Sequence, residues 1–313
     1  MTANNNDNPH QLATAPVVVG VDSSHTCEPA IRWAARTAAQ RQRRLHIVHA
    51  IDLAAIRGVL GSYDVMVPAV TENLHSHGEE ILAEAVATAR NAAPDLTIAT
   101  ELSEANPTQL LIALSKSAHM VVLGALSGVG TLTRLGSTLL KVTAHAHGAV
   151  VVVHNIDAGN APENNGPVVV GVDGSPIGEA AIAAAFAEAS ERNAELVAVH
   201  AWSDLDVGQF AGASYLEIPI ADLDVAEHTL LAERLAGWQE KYPDVRVTRK
   251  VFPTGPRHHL AEASASAQLI VVGSRGRGGF RGLLLGSTST WIMQHAQCPV
   301  MIVHPDQTAQ THP

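Results

Sequence analysis

The sequence predicts two tandem α/β domains, each a doubly wound, five-stranded parallel sheet flanked by helices. The chain of 313 residues is long enough for two ordinary domains. Short runs of valine, isoleucine and leucine alternate with helical patterns along its whole length. Such runs, which lack polar alternation, are typical of strands buried on both faces and therefore of parallel sheets. The third observation is that the chain carries the same series of motifs twice.

The repeat begins at residues 17–22, whose sequence recurs at 168–173 with an offset of 151 residues. Four further pairs keep this register within two residues: Ser24/Ser175, His49/His200, Gly124/Gly273 and Gly136/Gly286. We infer a tandem duplication. Its parts are a disordered tail over 1–15, domain 1 over 16–155, a linker over 156–166 rich in turn formers, domain 2 over 167–305 and a tail over 306–313.

Each copy contains five aliphatic runs that predict strands in the same order. In the first copy they cover 17–21, 45–49, 96–100, 120–123 and 149–153; in the second, 168–172, 196–200, 245–251, 269–272 and 299–303. Apolar residues at helical spacing predict intervening helices. Two examples are the set Ala181, Ile182, Ala185, Phe186 and Ala189 and the set Leu231, Leu235 and Trp238. A last helix is expected after Gly286-Ser287.

Composition narrows the functional class. A net charge of −10 and a pI near 5.9 argue against a nucleic-acid-binding face, which is basic. No run approaches the roughly 18–20 apolar residues of a membrane span, and the first residues lack the pattern of a signal peptide. The two cysteines, Cys27 and Cys298, suggest no disulfide framework. We therefore expect a cytoplasmic protein without nucleic-acid or membrane partners.

A glycine- and arginine-rich loop follows the predicted strand at 269–272. A loop between a strand and a helix start presents several backbone N–H groups to one point, where they bind anions. Arg275, Arg277 and Arg281 add positive charge to this acidic chain, which predicts a small phosphorylated ligand. The loop lacks the lysine of a Walker A motif and follows the fourth strand, unlike a dinucleotide fingerprint. The alternative is that its glycines only form a tight turn.

Other candidate residues also lie at the predicted carboxyl ends of strands, where ligands bind in such sheets. Asp22 and Asp173 suit hydrogen bonding to a nucleoside, although a turn or helix-capping role is the alternative. The histidine clusters lack the spacing of a zinc site, and Gly286-Ser287 is not a complete nucleophile elbow. The clusters are His75/His77, His145/His147 and His258/His259. We therefore predict no metal site and no catalytic residue.

Gly273-x2-Gly276, followed by nine residues and Gly286-Ser287, matches the motif G-x2-G-x9-G-[ST]. With the first strand of the second copy and its final strand at 298–303, this motif resembles the universal stress protein family, specifically its tandem-domain bacterial ATP-binding members. The resemblance implies a Rossmann-like, adenine nucleotide alpha hydrolase-like fold and ATP as ligand, with Mg²⁺ accompanying the phosphates. The residues it implies in the second copy are Gly171, Asp173, Ala201, Asp204, Gly273, Ser274, Arg275, Gly276, Arg277, Gly278, Gly279, Gly286, Ser287, Thr288 and Ser289.

The first copy departs from the motif. Ser127 stands where the second glycine belongs, and Leu126 replaces the counterpart of Arg275, which leaves Arg134 as the loop's one cation. Because a charge-assisted contact contributes roughly 1.5–3 kcal/mol, we predict a weaker first site. Its candidate residues are Gly20, Asp22, Ala50, Gly124, Ser127, Gly128, Gly130, Gly136, Ser137 and Thr138.

The resemblance implies an ATP-binding stress-response regulator with slow or no hydrolysis. Its expected partners are a second copy of the chain, in a homodimer containing an internal pseudo-dimer, and an unidentified protein. One alternative is a nucleotide-using enzyme on the same scaffold, a slow ATPase or an adenylyl transferase. The His-x-Gly-His and Ser-Gly-Gly-x-Asp-Ser signatures of such transferases are absent from the sequence. Another alternative is a scaffold that keeps the loops without using them.

Overall fold

The structure is a computed structural model, which describes residues 14–24, 26–61, 67–125, 135–154, 165–175, 178–201, 220–277 and 285–305. The chain divides into two units, Met1–Asn155 and Ile156–Pro313. Each unit contains a five-stranded parallel sheet with helices between the strands, which confirms the predicted fold class. The exact domain and linker boundaries stay a prediction.

The first unit follows the predicted alternation of strands and helices. Its elements are β1 (Val17–Gly20), α1 (Cys27–Gln40), β2 (Leu45–Ala50), α2 (Leu53–Leu60), α3 (Val67–Ala92), β3 (Ile98–Ser103), α4 (Pro107–Ser115), β4 (Met120–Ala125), α5 (Ser137–His145) and β5 (Ala149–His154).

The second unit repeats the series within its described residues. Its elements are β6 (Val168–Val172), α6 (Glu179–Glu191), β7 (Leu196–Ala201), α7 (Ile220–Lys241), β8 (Val247–Phe252), α8 (Pro256–Ser264), β9 (Leu269–Gly273), α9 (Ser287–His295) and β10 (Val300–Val303). Helix α9 begins within one residue of the predicted start.

The strand order is the same in both units and sets the place of the site. It is β3-β2-β1-β4-β5 in the first unit and β8-β7-β6-β9-β10 in the second. The order reverses between β1 and β4, which pair in parallel, and between β6 and β9. In such sheets the crevice beyond the carboxyl ends of these two strands is the usual ligand site. The carboxyl edge of each sheet is therefore where the candidate residues meet.

The core consists largely of small aliphatic side chains. The valines of β1 and β6 are almost completely buried, which agrees with strands covered on both faces. All five apolar residues predicted to form one face of α6 are buried, and so are Leu231 and Leu235 of α7. Alanines on these buried faces allow helix and sheet to approach closely, so the strands are held in register beneath the site.

Strands β3 and β8 begin two residues later than predicted. The apolar residues Leu96 and Val245, which suggested an earlier start, instead belong to turns that follow a helix. The backbone N–H of Val245 donates to the carbonyl of Tyr242 at 3.2 Å, and the Val245 side chain is buried there. A buried apolar residue in a turn therefore gives the same sequence pattern as the first residue of a strand. The short helix α2 was not predicted.

Candidate functional site

The first unit has a pocket of about 390 Å³ at the carboxyl edge of β1, β2 and β4. Every described residue among the first-copy candidates lines it: Gly20, Asp22, Ala50, Gly124, Gly136, Ser137 and Thr138. The other three candidates, at 127, 128 and 130, lie outside the described residues. The fold thus brings residues from four separate parts of the sequence to one cavity.

The lining of this pocket contains both apolar and polar residues. Leu110 and Leu111 of α4, with Leu123 of β4, form apolar lining. A Cβ atom added to Gly20 would lie 2.9 Å from the Leu123 side chain, so glycine is needed there for the leucines to pack against the strand. Apolar lining beside polar groups suits a planar ring carrying a polar substituent.

Asp22 lines the pocket and is held in a turn. Its Oδ1 atom accepts hydrogen bonds from the Ser24 N–H at 2.8 Å and from the Cys27 thiol at 3.2 Å. Burial alone would raise the pKa of Asp22, but these hydrogen bonds outweigh it and hold the pKa below its ordinary value. The residue at the N-cap of α1 is Thr26, so Asp22 shapes the turn before the helix rather than capping it.

Sequence reasoning missed Cys27, which lines the pocket and is 7% exposed. Burial, and then the adjacent charge of Asp22, raise the pKa of Cys27 to about 11. Its counterpart at the offset of 151 residues is Gly178. That difference between the copies was the signal in the sequence, but only the fold shows that the thiol lies beside Asp22.

The N-terminus of α5 lies at the pocket, and no described side chain caps it. Gly136 is the N-cap residue, with φ −59° and ψ 152°. The first N–H groups of an uncapped helix lack intrahelical partners and attract anions. Ser137 and Thr138 of this first turn line the same cavity.

In the second unit, Asp173 connects β6 with the loop after β9. Its Oδ1 atom accepts from the N–H of Ser175 at 3.0 Å and from its hydroxyl at 2.8 Å. Its Oδ2 atom accepts from the backbone N–H of Arg277 at 2.7 Å. A Cβ atom added to Gly276 would lie 2.9 Å from Oδ2, so the glycine permits this close approach. This close approach explains why glycine stands at the second position of the motif.

The Arg277 side chain reaches a third strand. Its Nη2 atom donates to the backbone carbonyl of Ala201, at the end of β7, at 2.9 Å. Three predicted residues from three separate strands or their following loops, Asp173, Ala201 and Arg277, are therefore joined by hydrogen bonds. Arg275 is exposed on the same loop. Sequence reasoning placed Arg277 at the site but did not foresee its contact with Ala201.

The start of α9 is fixed to the loop by short hydrogen bonds. The Gly286 N–H donates to the carbonyl of Ser274 at 2.7 Å, and the hydroxyl of Ser289 donates to the carbonyl of Gly273 at 2.6 Å. Both serine side chains are buried, and the Ser274 hydroxyl has no hydrogen-bond partner among the described residues. Ser287 is exposed and Thr288 half-buried at the first turn. The candidates Asp204, Gly278 and Gly279 lie outside the described residues.

The histidines at the ends of β2 and β7 support the backbone beneath the two sites. His49 Nδ1 lies 2.8 Å from the carbonyl oxygen of Val21. His200 is completely buried between the carbonyl of Val172, 2.6 Å from Nδ1, and Oε2 of Glu227, 2.7 Å from Nε2. Each imidazole thus connects the second strand of its unit with the residue just before the aspartate, Asp22 or Asp173, that follows the first strand.

Three of the six clustered histidines have a glutamate or a backbone carbonyl as partner. His75 pairs with Glu104, and His77 with Glu80, whereas His145 contacts the Lys141 carbonyl through Nδ1. Over the described ranges, no three histidine, cysteine, aspartate or glutamate side chains form a group able to hold a metal ion. No helix in those ranges is long and apolar enough to span a membrane.

Comparison with known proteins gives a consistent result over most of the chain. The sequence model of the universal stress protein family matches residues 14–154 and 164–304. A universal stress protein of Mycolicibacterium smegmatis is 43% identical over 293 residues, covering 92% of this chain and 97% of that protein. One of Mycobacterium tuberculosis is 40% identical over 297 residues, covering 93% and 97%. The crystal structure of a universal stress protein from Archaeoglobus fulgidus aligns with 92% of this chain and 98% of its own at a TM-score of 0.64 and 19% identity, a likeness of fold.

Proposed function

This chain belongs to the universal stress protein family, and from that premise we propose that it is an ATP-binding, nucleotide-dependent stress-response regulator. ATP binds at the carboxyl edge of each sheet, more tightly in the second unit than in the first. Hydrolysis is slow or absent, and the bound nucleotide acts by favouring one conformation or one partner surface of the protein.

The observation that carries this proposal is the pocket of the first unit. Seven candidate residues chosen from the sequence, from Gly20 to Thr138, line a single cavity of about 390 Å³. Cavities of roughly 300–1,000 Å³ with mostly apolar walls and a few polar groups are typical small-molecule sites. The leucine lining suits an adenine ring, and the α5 N-terminus suits phosphate.

Charge supports the choice of a phosphorylated ligand and the order of the two affinities. The second unit places Arg275 and Arg277 between the carboxyl edge of its sheet and the start of α9, on a chain whose net charge is −10. The first copy has leucine at the counterpart of Arg275. Arginine binds phosphate through charge-assisted hydrogen bonds, so the second site gains affinity that the first lacks. Mg²⁺ arrives with the phosphates, as is usual for this ion.

The surroundings of the two aspartates support slow hydrolysis. Efficient phosphoryl transfer needs a residue that orients or deprotonates the attacking group. Both carboxylate oxygens of Asp173 already accept hydrogen bonds from Ser175 and Arg277. Oδ1 of Asp22 is engaged in the same way. The hydrogen-bonding capacity of these carboxylates is therefore used, at least in part, to build the site. A rival function is a slow ATPase or adenylyl transferase on the same scaffold.

The nucleotide content of the purified protein tests the proposal. Protein purified without added nucleotide is denatured, and the released small molecules are identified by mass spectrometry. We expect ATP at about one equivalent per chain, because the tighter site retains its ligand. The matched control is the Gly286→Val variant, which places a side chain at the α9 N-terminus. Absence of adenine nucleotide, even after incubation with ATP and rapid desalting, would contradict the proposal.

A turnover assay separates the regulator from the enzyme. With radiolabelled ATP and Mg²⁺ we expect fewer than about one turnover per minute, well below the usual range of enzyme rates. Sustained turnover at many per minute, lost in the Gly286→Val variant, would favour the enzyme instead. The expected partners are a second copy of this chain and a further protein in the cytoplasm. Sedimentation with and without ATP tests the homodimer.

A further inference from the structure

Arg277 contacts two of the candidate residues of the second site. Its N–H binds Oδ2 of Asp173 at 2.7 Å, and its guanidinium binds the carbonyl of Ala201 at 2.9 Å. The counterparts of these two residues in the first unit, Asp22 and Ala50, both line the 390 Å³ pocket. By the internal repeat, Asp173 and Ala201 correspond to two lining residues of that pocket, and Arg277 contacts both of them.

A ligand that enters this pocket and approaches the Ala201 backbone must compete with the guanidinium. We propose that Arg277 makes the second site select phosphorylated nucleotides over nucleosides, because a ligand displaces it from Ala201 and only a phosphate binds it again. This inference rests on the proposed function and specifies which ligands that site accepts. Arg277 acts as a specificity-determining residue.

The physical basis is an exchange of partners. The guanidinium donates a hydrogen bond to the backbone carbonyl of Ala201. In this bond the donor is charged and the acceptor is neutral. A phosphate offers a charged acceptor in a geometry that arginine matches with two parallel hydrogen bonds. A nucleotide therefore replaces the lost bond with a stronger one. A nucleoside breaks the same bond and leaves the guanidinium to water.

The sequence of the first copy offers a natural comparison. At the offset of 149 residues that relates Gly273 to Gly124, the counterpart of Arg277 is Gly128. The first loop therefore has no side chain at that position to compete for Ala50. We expect the first site to discriminate less between adenosine and ATP than the second.

Calorimetric titration of the full chain with adenosine and with ATP tests the selection. In Arg277→Ala, we expect adenosine to bind the second site about five- to tenfold more tightly than in the wild type, and ATP to bind several-fold more weakly. The dissociation constant for adenosine divided by that for ATP then falls by at least about tenfold. Arg275→Ala is the matched control, because its guanidinium has no hydrogen bond to Ala201 or Asp173 among the described residues. We expect this control to weaken ATP binding without tightening adenosine binding.

Hydrogen exchange of the ligand-free protein tests the contact itself. We expect the Arg277 amide region to exchange about five- to tenfold faster in Arg277→Ala than in Arg275→Ala, because the first variant loses the bond to Ala201. Two results would overturn the proposed selection: equal amide exchange in the two variants, or equal adenosine affinity in Arg277→Ala and in the wild type. If the wild type still binds ATP, either result leaves the proposed function intact. Failure of every variant and of the wild type to bind ATP overturns both.

Discussion

The thiol of Cys27 donates a hydrogen bond to Oδ1 of Asp22 across 3.2 Å, and both residues line the first pocket. Both aspartates accept from the backbone N–H of the serine two residues later. The second unit has glycine at the position of Cys27, and Asp173 accepts instead from the Ser175 hydroxyl and the Arg277 N–H. One pair of residues thus distinguishes two sites that share a strand order. The reaction of Cys27 with a thiol reagent can therefore report on the surroundings of Asp22 in the first pocket.

Alkylation of Cys27 is expected to be slow at neutral pH. Only the thiolate reacts, and the pKa of this residue is raised to about 11, so the reactive fraction is small at pH 7.5. Between pH 8 and 10 we expect the rate with iodoacetamide, followed by peptide mass spectrometry, to rise about tenfold per pH unit. Cys298, whose pKa is raised to about 12 by complete burial, is the internal control and stays unmodified. A rate that levels off below pH 9 would contradict the hydrogen-bonded environment.

Gly124→Ala is expected to destabilise the first unit. The added Cβ atom would lie 2.2 Å from the carbonyl oxygen of Thr26, a backbone atom that moves only if the start of α1 moves. Overpacking of this kind lowers the free energy of unfolding by about 1–3 kcal/mol. The control Gly58→Ala adds the same methyl group to helix α2, where nothing lies within 4 Å. It is expected to stabilise slightly, by about 0.5–1 kcal/mol. Urea unfolding monitored by circular dichroism measures both.

Glu227→Ala is expected to destabilise the second unit. It removes the partner 2.7 Å from Nε2 of the completely buried His200 and leaves that nitrogen without its acceptor. A lost hydrogen bond to a charged group costs about 1.5–3 kcal/mol in unfolding free energy. Glu80→Ala removes the exposed partner of His77 and serves as control, with an expected change below about 0.5 kcal/mol. Equal effects of the two variants would show that the His200 pair contributes no more than a surface pair.

His259 is expected to make stability depend on pH. Burial, and then the neighbouring His258, lower the pKa of His259 in the folded protein, where its ring stacks on Phe252 at 3.6 Å. A histidine with a lowered pKa stabilises the fold above its unfolded pKa near 6.5, and this contribution is lost as pH falls below that value. The free energy of unfolding is therefore expected to decrease from pH 7 to pH 5. His259→Leu, which matches Leu110 of the first copy, is expected to make that decrease smaller; an unchanged slope would show that other groups cause it.

The sequence was sufficient to predict the fold because the strands are uniform aliphatic runs and the chain contains two copies of one pattern. Duplication fixed the number of strands, and Gly286 marked the start of α9. Prediction failed where burial lies outside a strand, as at Val245, or where contacts join residues far apart in sequence. The bond from Arg277 to Ala201 and the position of Cys27 beside Asp22 depend on backbone paths between strands. Local patterns carry no information about such paths.

The central claim is that the chain has two unequal ATP sites, the second tighter than the first, and matched substitutions at the two helix starts test it most directly. Gly136 and Gly286 both have extended backbones, with φ −59° and −70°, and neither has an atom closer than 3.5 Å to an added Cβ. An added Cβ atom therefore fits the fold at either position. The larger side chain of valine is expected to obstruct the N–H groups of that helix. In equilibrium ATP titrations we predict that Gly286→Val removes the tighter site, raising the lowest dissociation constant at least about tenfold, whereas Gly136→Val leaves it within about twofold. Equal losses in the two variants, or a larger loss in Gly136→Val, would contradict the account.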